Sequence, residues 1–416
     1  MRLALLLALL CIAGAARAGA EPALPDDGAG GALVRHLAES PRLFEDPWGL
    51  RSDLERLGVD LRLFHQQFLG WVPRGGAGSG RRTGHSGSYD LLVQADAEEL
   101  LGWTGLSVLL QVKGQYDRSV NDRVGALSDP VDDADFDEPI YVDQLWAQQR
   151  FFGDLAALRL GLLEQQVVYD RNAYANSEDR QFMSQFLDNN GLVPLPDGLS
   201  AALLLRPREG LELAAGVADS DNRPQRVGFR GAFDNLDGAT AYLELTVSVR
   251  PDSPRGRLPG HYRFGLFRDG RKLTRFGTTR SDRGHLGGYL SFDQLLLRES
   301  AESEQGLGAF VRFGGADEDV SRTAWFWSLG MQYRGLPPGR DSDVLAVGCY
   351  QAIASDRFRR TVAPGADRET GVEIYYSAEL LPWLAVTPDL QYVVDPGAMA
   401  GARDAVVALL RFRVTF

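Results

Sequence analysis

The chain has 416 residues, with 44 Lys and Arg against 56 Asp and Glu, a formal net charge of -12 at pH 7, and 44% hydrophobic residues. That acidic balance makes nucleic acid and an anionic inner leaflet unsuitable partners. No stretch of eighteen uninterrupted apolar residues occurs, which excludes a helical membrane span. A membrane barrel stays open, because only one face of each barrel strand meets lipid and average hydropathy remains ordinary.

The chain opens MRLALLLALLCIAGAARA. Arg2 supplies a positive n-region, Leu3 to Ala13 an apolar h-region, and Ala16-Arg17-Ala18 a small-residue cleavage site, the pattern of a secretory signal peptide over residues 1–18. Cleavage after Ala20 fits equally, and the residues before Cys11 are too bulky for a lipoprotein site. Losing Arg2 and Arg17 takes the basic count from 44 to 42 against 56 acids, so the net charge moves to -14. Cys349 is then the one cysteine left, so no intramolecular disulfide is expected.

Residues 19–58 read as a periplasmic segment. Ala32–Ala38 and Leu50–Leu57 have short helical spacing, with Ser52 and Asp53 available as caps before Leu54 and Leu57. From residue 59 to 416 the pattern changes to period two, in segments bounded by Gly, Pro, Asp and Asn. The predicted strands begin at Val59–Trp71, Ser88–Leu100, Thr104–Tyr116, Tyr141–Phe152, Ala157–Leu163, Ser200–Pro207, Leu211–Asp219 and Thr240–Arg250. They continue at Gly260–Arg268, Gly287–Leu296, Gly306–Gly314, Ala324–Tyr333, Asp343–Ala354, Thr370–Leu381, Leu384–Val394 and Ala405–Phe416. About sixteen strands, an even number, let both ends of an antiparallel barrel lie on one side of a membrane.

Tight connections at Leu101-Gly102-Trp103, Gly153 to Ala156, Arg208 to Gly210 and Pro382-Trp383 alternate with long polar ones. The long ones are Val72–Gly87, Asp117–Ile140, Glu164–Leu199, Ser220–Ala239, Asp269–Leu286 and Ser355–Glu369, the asymmetry of periplasmic turns and extracellular loops. Pro251–Pro259 and Arg334–Ser342 are longer than tight turns should be. Within strands the faces separate: Leu243, Leu245, Val247 and Val249 oppose Tyr242, Glu244, Thr246, Ser248 and Arg250. Trp71, Trp103, Trp325, Trp327, Tyr333 and Trp383 near strand ends suit the aromatic girdles of a membrane barrel. In the last strand Val406, Ala408, Leu410, Phe412, Val414 and Phe416 share one face and Arg411, Arg413 and Thr415 the other, as in a barrel wall that closes on Val59–Trp71.

Several segments carry a resemblance. They are Trp48 to Val59, Leu100-Leu101-Gly102-Trp103-Thr104-Gly105, Asp143-Gln144-Leu145-Trp146, Leu158-Arg159-Leu160-Gly161 and Gly216 to Ser220. Tyr262-Arg263-Phe264-Gly265, Val372 to Tyr376 and Pro388 to Gly397 complete the set. In this order and spacing the chain resembles the carbohydrate-selective outer-membrane porins of the OprB type, from about Trp48 to Phe416. Where relatives often carry a glycine, a basic residue and Gln after the fifth strand, this chain has Gly161-Leu162-Leu163-Glu164-Gln165. The resemblance implies a transmembrane antiparallel β-barrel of about sixteen strands that passes mono- or oligosaccharides passively across a Gram-negative outer membrane. It also implies that Phe416 is the terminal aromatic read by the barrel-assembly machinery, with outer-membrane lipid around a monomer or homo-oligomer.

A pore for sugars needs bidentate donors and acceptors beside flat aromatic faces. On the faces opposite the apolar ones lie Lys113, Glu244, Arg263, Arg312, Glu373, Asp389, Arg411 and Arg413. Each reads first as a solvated wall residue in an ion pair and second as a direct sugar contact. Glu164–Leu199, the longest connection, is either a constriction folded into the pore or an extracellular cap, with Tyr169, Arg171, Tyr174, Glu178, Asp179 and Arg180 as candidate contacts. Asp117–Ile140 carries eight acids without calcium-loop spacing and reads as a hydrated surface. His36, His65, His85, His261 and His285 include no pair at metal-ligand spacing, and neither a Gly-x-Ser-x-Gly elbow nor a phosphate-binding glycine loop is present, so no cofactor, metal or enzyme activity is expected. Two other readings remain: a non-sugar or ion-conducting porin on the same barrel, and a soluble exported protein that binds or cleaves sugar.

Overall fold

The computed structural model describes residues 40–416 except 45, 195–197 and 221–237. The expected signal peptide, the expected helical spacing at Ala32–Ala38 and most of the connection Ser220–Ala239 lie outside these residues. Sixteen antiparallel strands close into one barrel. They are β1 (Val59–Arg74), β2 (Thr83–Asp96), β3 (Leu106–Arg118), β4 (Glu138–Phe151), β5 (Ala156–Leu163), β6 (Gly198–Arg208), β7 (Leu211–Asp219) and β8 (Ala239–Val249). The circuit continues through β9 (Gly260–Asp269), β10 (His285–Arg298), β11 (Gly306–Ala316), β12 (Thr323–Arg334), β13 (Val344–Ala354), β14 (Arg368–Leu381), β15 (Leu384–Val394) and β16 (Ala405–Thr415).

The seam joins β1 to β16, with Phe64 opposite Thr415 and Trp71 opposite Ala408. Closure matters because an open edge in hydrocarbon would leave backbone N–H and C=O groups without partners. Period two then sets the two faces: Leu243 is 45% exposed on the outer surface, while its neighbour Glu244, turned inward, is 1% exposed. Leu266, Val311, Met331, Val347 and Leu390 continue the exposed apolar band. Trp71, Trp103 and Trp325 stand exposed near strand ends, where the amphipathic indole suits a membrane interface.

Several sequence-based readings change. The predicted strand Ser88–Leu100 runs instead from Thr83 to Asp96, and Ala97–Leu101 forms a short helix. Asp96 caps it by accepting the Glu98 N–H, and Gly102 ends it in the left-handed region, a start and stop that favour helix over strand. Ser52 and Asp53 are not caps: the first helix, Leu50–Arg56, begins at Gly49, and the Asp46 carboxylate accepts the N–H groups of Arg51 and Ser52. The long connection after β8 is a small hairpin in which Asp252–Ser253 pairs with Gly256–Arg257.

Candidate functional site

Two long connections from the same end of the barrel turn into its lumen. Residues 164–194 follow β5 and carry apolar side chains that no surface loop would keep: Phe182 and Leu187 are fully buried and Phe186 nearly so, packed on Phe310, Phe326, Tyr350 and Tyr375 of the inner wall. The Phe182 ring meets Tyr375 edge-on at 5.2 Å. These residues of the connection thus pack on the inner wall instead of standing clear of it.

Residues 119–137 overturn the expectation of a hydrated surface. Val120, Val124, Val131 and Ala134 are buried against Phe68, Val72, Val393, Val407 and Leu409 on the inner wall. Asp133 of this loop pairs with Lys113 at 2.9 Å, accepts Gln66 Nε2 at 2.7 Å and is bonded by the Ser88 hydroxyl. The two loops also grip each other, through Asp132 N to Met183 O at 2.9 Å, Gln185 N to Asp129 O at 3.0 Å and Asn189 Nδ2 to Asp132 Oδ2 at 2.6 Å. Burial lifts Asp132 well above the usual carboxylate range, with Asp188 nearby adding to it, and lifts Asp188 to about 7.

The eight wall residues all lie on the inner face, and most of them hold the loops. Lys113 Nζ reaches Glu178 Oε1 at 2.7 Å. Glu244 accepts the Asp170 N–H at 2.7 Å and the Tyr289 hydroxyl at 2.6 Å. Arg312 donates to Ala175 O at 2.6 Å and Leu187 O at 3.0 Å, and pairs with Asp170 at 3.0 Å. Glu373 accepts the N–H groups of Met183 and Ser184 at 2.7 and 3.0 Å. Arg411 donates to Glu178 O and Gln181 O at 2.7 and 3.0 Å, and Arg413 pairs with Asp179 at 2.9 Å. Asp389 accepts Gln391 Nε2 at 3.1 Å, and the same amide donates to Pro130 O at 2.9 Å. Arg263 pairs within the wall, to Asp293 at 2.6 Å.

Of the six loop residues, Tyr169 is buried and stacks on Tyr242, with ring centroids 4.6 Å apart. Glu178 and Asp179 are held by Lys113 and Arg413. Burial raises Asp179, but Arg413 and the Ser177 hydroxyl outweigh it, and its carboxyl sits below the usual value. Arg180 is the most exposed charged side chain of the set, while Arg171 pairs with Glu212 at 2.5 Å. Tyr174 rests on Gly308, where a Cβ would lie 2.1 Å from its ring. Gly308→Val is expected to unseat Tyr174 at a cost of about 1–3 kcal/mol. The compact, unboiled form should then be lost at lower temperature on gels, and an unchanged transition would contradict that seat.

Sequence reasoning missed several inner-wall groups. Glu369 accepts the N–H groups of Leu127, Ser128 and Gly397 at 2.6, 3.0 and 2.7 Å. A polar belt runs around the inside: Gln111 Nε2 donates to Asp90, Gln144 Nε2 to Gln111, and Trp146 Nε1 to Gln144, at 2.9, 2.7 and 3.1 Å. Arg159 lies over the Trp146 ring, 4.2 Å from its centroid. All but Glu369 stand in the inward register of a strand the pattern located, so the signal was alternation itself, while Glu369 lies in a strand that begins at Arg368, two residues before the predicted start; only contact separates anchors from exposed groups. A chamber of about 590 Å³ lies at the short-turn end, with Arg171 of the inward loop, Arg206, Glu212, Thr246, His261 and Arg263 among its lining residues.

The comparisons with known proteins agree with this architecture. The sequence profile described as carbohydrate-selective porin, OprB family, matches residues 81–416. Porin B of Pseudomonas aeruginosa is 22% identical over 429 residues, covering 92% of this chain and 94% of that one. A putative porin, QuiX, of Acinetobacter baylyi is 26% identical over 212 residues, covering 45% of this chain and 47% of that protein. The high-pH structure of Pseudomonas putida OprB superposes with a TM-score of 0.81 at 18% identity, covering 92% of this chain and 100% of that one, a likeness of fold. A closed sixteen-stranded barrel with an apolar outer band, matched by the profile through to its last strand, belongs to the carbohydrate-selective porin, OprB family, of the outer membrane.

Proposed function

We propose that the chain carries carbohydrates passively across the outer membrane. The observation that carries this reading is the inner belt from Asp90 through Gln111, Gln144 and Trp146 to Arg159, a row of donors and acceptors beside an indole face. Hydroxyls of a sugar can exchange water for these groups one at a time, so that no position binds too tightly to release. Fixed loops narrow the lumen and no energy source is required. The fold and family are those of a non-enzymatic channel.

The outer band would face lipid, and the last strand with Phe416 would be the part offered to the assembly machinery. Among the wall residues, Arg263 stands at a solute passage, whereas Lys113, Glu244, Arg312, Glu373, Arg411 and Arg413 serve the passage by fixing its loops. Single-channel recording in planar bilayers tests the function. Added glucose or maltose should lower the current along a saturating curve, and failure of every sugar in a mono- and oligosaccharide panel to do so would remove the carbohydrate reading while leaving the fold.

A further inference from the structure

The chamber at the short-turn end is basic, although the whole chain is acidic. Four guanidinium groups line it, those of Arg171, Arg206, Arg208 and Arg263, with the carboxylates of Asp154, Glu209 and Glu212, while Arg159 and Asp293 stand behind the lining. Glu212 is shared by Arg171 at 2.5 Å and Arg206 at 2.8 Å. Asp293 is shared by Arg263 at 2.6 Å and His261 at 2.7 Å. Arg159 has no carboxylate partner among the described residues: its Nε and Nη2 both go to Gln148 Oε1, at 3.1 and 2.8 Å, and it lies within electrostatic reach of Arg171, Arg206 and Glu212. Counting Arg159 and Asp293 with the lining, five guanidiniums stand against four carboxylates, an excess of one positive charge in a chain whose overall charge is negative.

A second observation points to a ligand. The Nε atoms of Arg171 and Arg263 are buried and without a hydrogen-bond partner, and Arg263, 5% exposed, lines the chamber together with Arg171 of the inward loop. The guanidiniums of Arg171 and Arg206, about two-fifths exposed, keep N–H groups open to the chamber beyond those given to Glu212, and guanidinium binds a planar, two-oxygen anion through parallel N–H···O bonds. Around them Thr246, Ser248 and Glu212 offer the mixed donors and acceptors that hydroxyls need.

We propose that this chamber recognises carbohydrates bearing a carboxylate, namely sugar acids such as uronates and aldonates, in preference to neutral sugars of the same size. The proposal rests on the channel reading above and names its substrate class. The carboxylate would lie between Arg171, Arg206 and Arg263, with Arg159 adding attraction along the approach. The hydroxyls would meet Glu212 and the Thr246 and Ser248 hydroxyls. Dissociation stays fast because Glu212 and Asp293 compete for the same guanidiniums.

The test uses the full mature chain in planar bilayers, with glucose, glucuronate and acetate compared at one ionic strength. Glucuronate should halve the current at a concentration at least tenfold below that of glucose, and acetate, which has the charge without the hydroxyls, should not. The Arg206→Gln and Arg171→Gln channels should bring the glucuronate-to-glucose ratio toward one, while Arg368→Gln, at an exposed position on the opposite end, should keep it. Equal block by glucose and glucuronate in the parent channel overturns the proposal and leaves the sugar channel standing. Acetate blocking as well as glucuronate overturns it in favour of a plain anion well. Absence of block by any of the three overturns the proposal, and the wider sugar panel then decides the carbohydrate reading. The parent ratio is decisive even if a variant fails to give the compact barrel form.

Discussion

Replacing Arg312 by methionine detaches the loop 164–194 from the wall of an otherwise closed barrel. Arg312 is fully buried and joins three parts of that loop: Asp170 at 3.0 Å, Ala175 O with Asn176 Oδ1 at 2.6 and 2.8 Å, and Leu187 O at 3.0 Å. Asp170 is held at φ 54°, a left-handed conformation that costs a non-glycine residue about 1–2 kcal/mol and is kept by its contacts. Removing the guanidinium leaves that carboxylate buried without its cation, a loss of about 3–5 kcal/mol. The strand pairing on either side, Arg312 with Ser291 and with Ser328, is main-chain and survives. Trypsin should then cut after Arg171 or Arg180 in the folded, detergent-solubilised barrel, where the parent resists, and the single-channel current should become noisy. Adding Asp170→Asn to the Arg312 variant should restore part of the protection, because no unpaired charge remains. Equal resistance of parent and variant would remove Arg312 from the role of anchor.

Phe416→Ala lowers the yield of compact, heat-modifiable barrel by more than half while export continues. The residue is tied at several points: Phe416 N donates to Leu63 O at 2.9 Å, Arg51 Nη2 donates to Phe416 O at 3.2 Å, and its ring stacks on Phe44 with centroids 6.0 Å apart. Leu43 N adds a bond to Thr415 O at 2.9 Å. The stack itself accounts for about 0.5–1.5 kcal/mol. Phe44→Ala separates the two roles. It removes the same stacking partner and should lower the melting temperature of the finished barrel without reducing the yield, whereas Phe416→Ala should reduce both. Matched yields for the two variants would reduce Phe416 to a packing residue.

Strand number, the lipid-facing register and the alternation of short and long connections were legible in the sequence because all three are local. A residue's face follows from its neighbours two positions away, and membrane and lumen demand opposite chemistry on opposite faces. The seam followed from parity and from the closing strand. Local chemistry was also where the reading slipped: Asp96 and Gly102 bracket a helix over Ala97–Leu101 that a strand pattern overran, and Asp46 rather than Ser52 or Asp53 caps the first helix.

What the inner face does was a different matter. Alternation placed Arg312, Arg411, Glu373 and Arg263 inside without distinction, yet the first three grip loop backbone and the last lines a chamber. The acids of residues 117–140 were counted as surface because charge was visible and the four small apolar residues among them were not weighed. Period two and the alternating connections by themselves pointed to about sixteen antiparallel strands with one apolar and one polar face, and the resemblance to a family added the outer membrane. Only the tertiary structure decided which polar residues anchor the loops and which remain for a solute, since those contacts join positions such as Glu178 and Arg411, 233 residues apart, and a pairing over that distance is set by the closed wall rather than by any neighbouring residue.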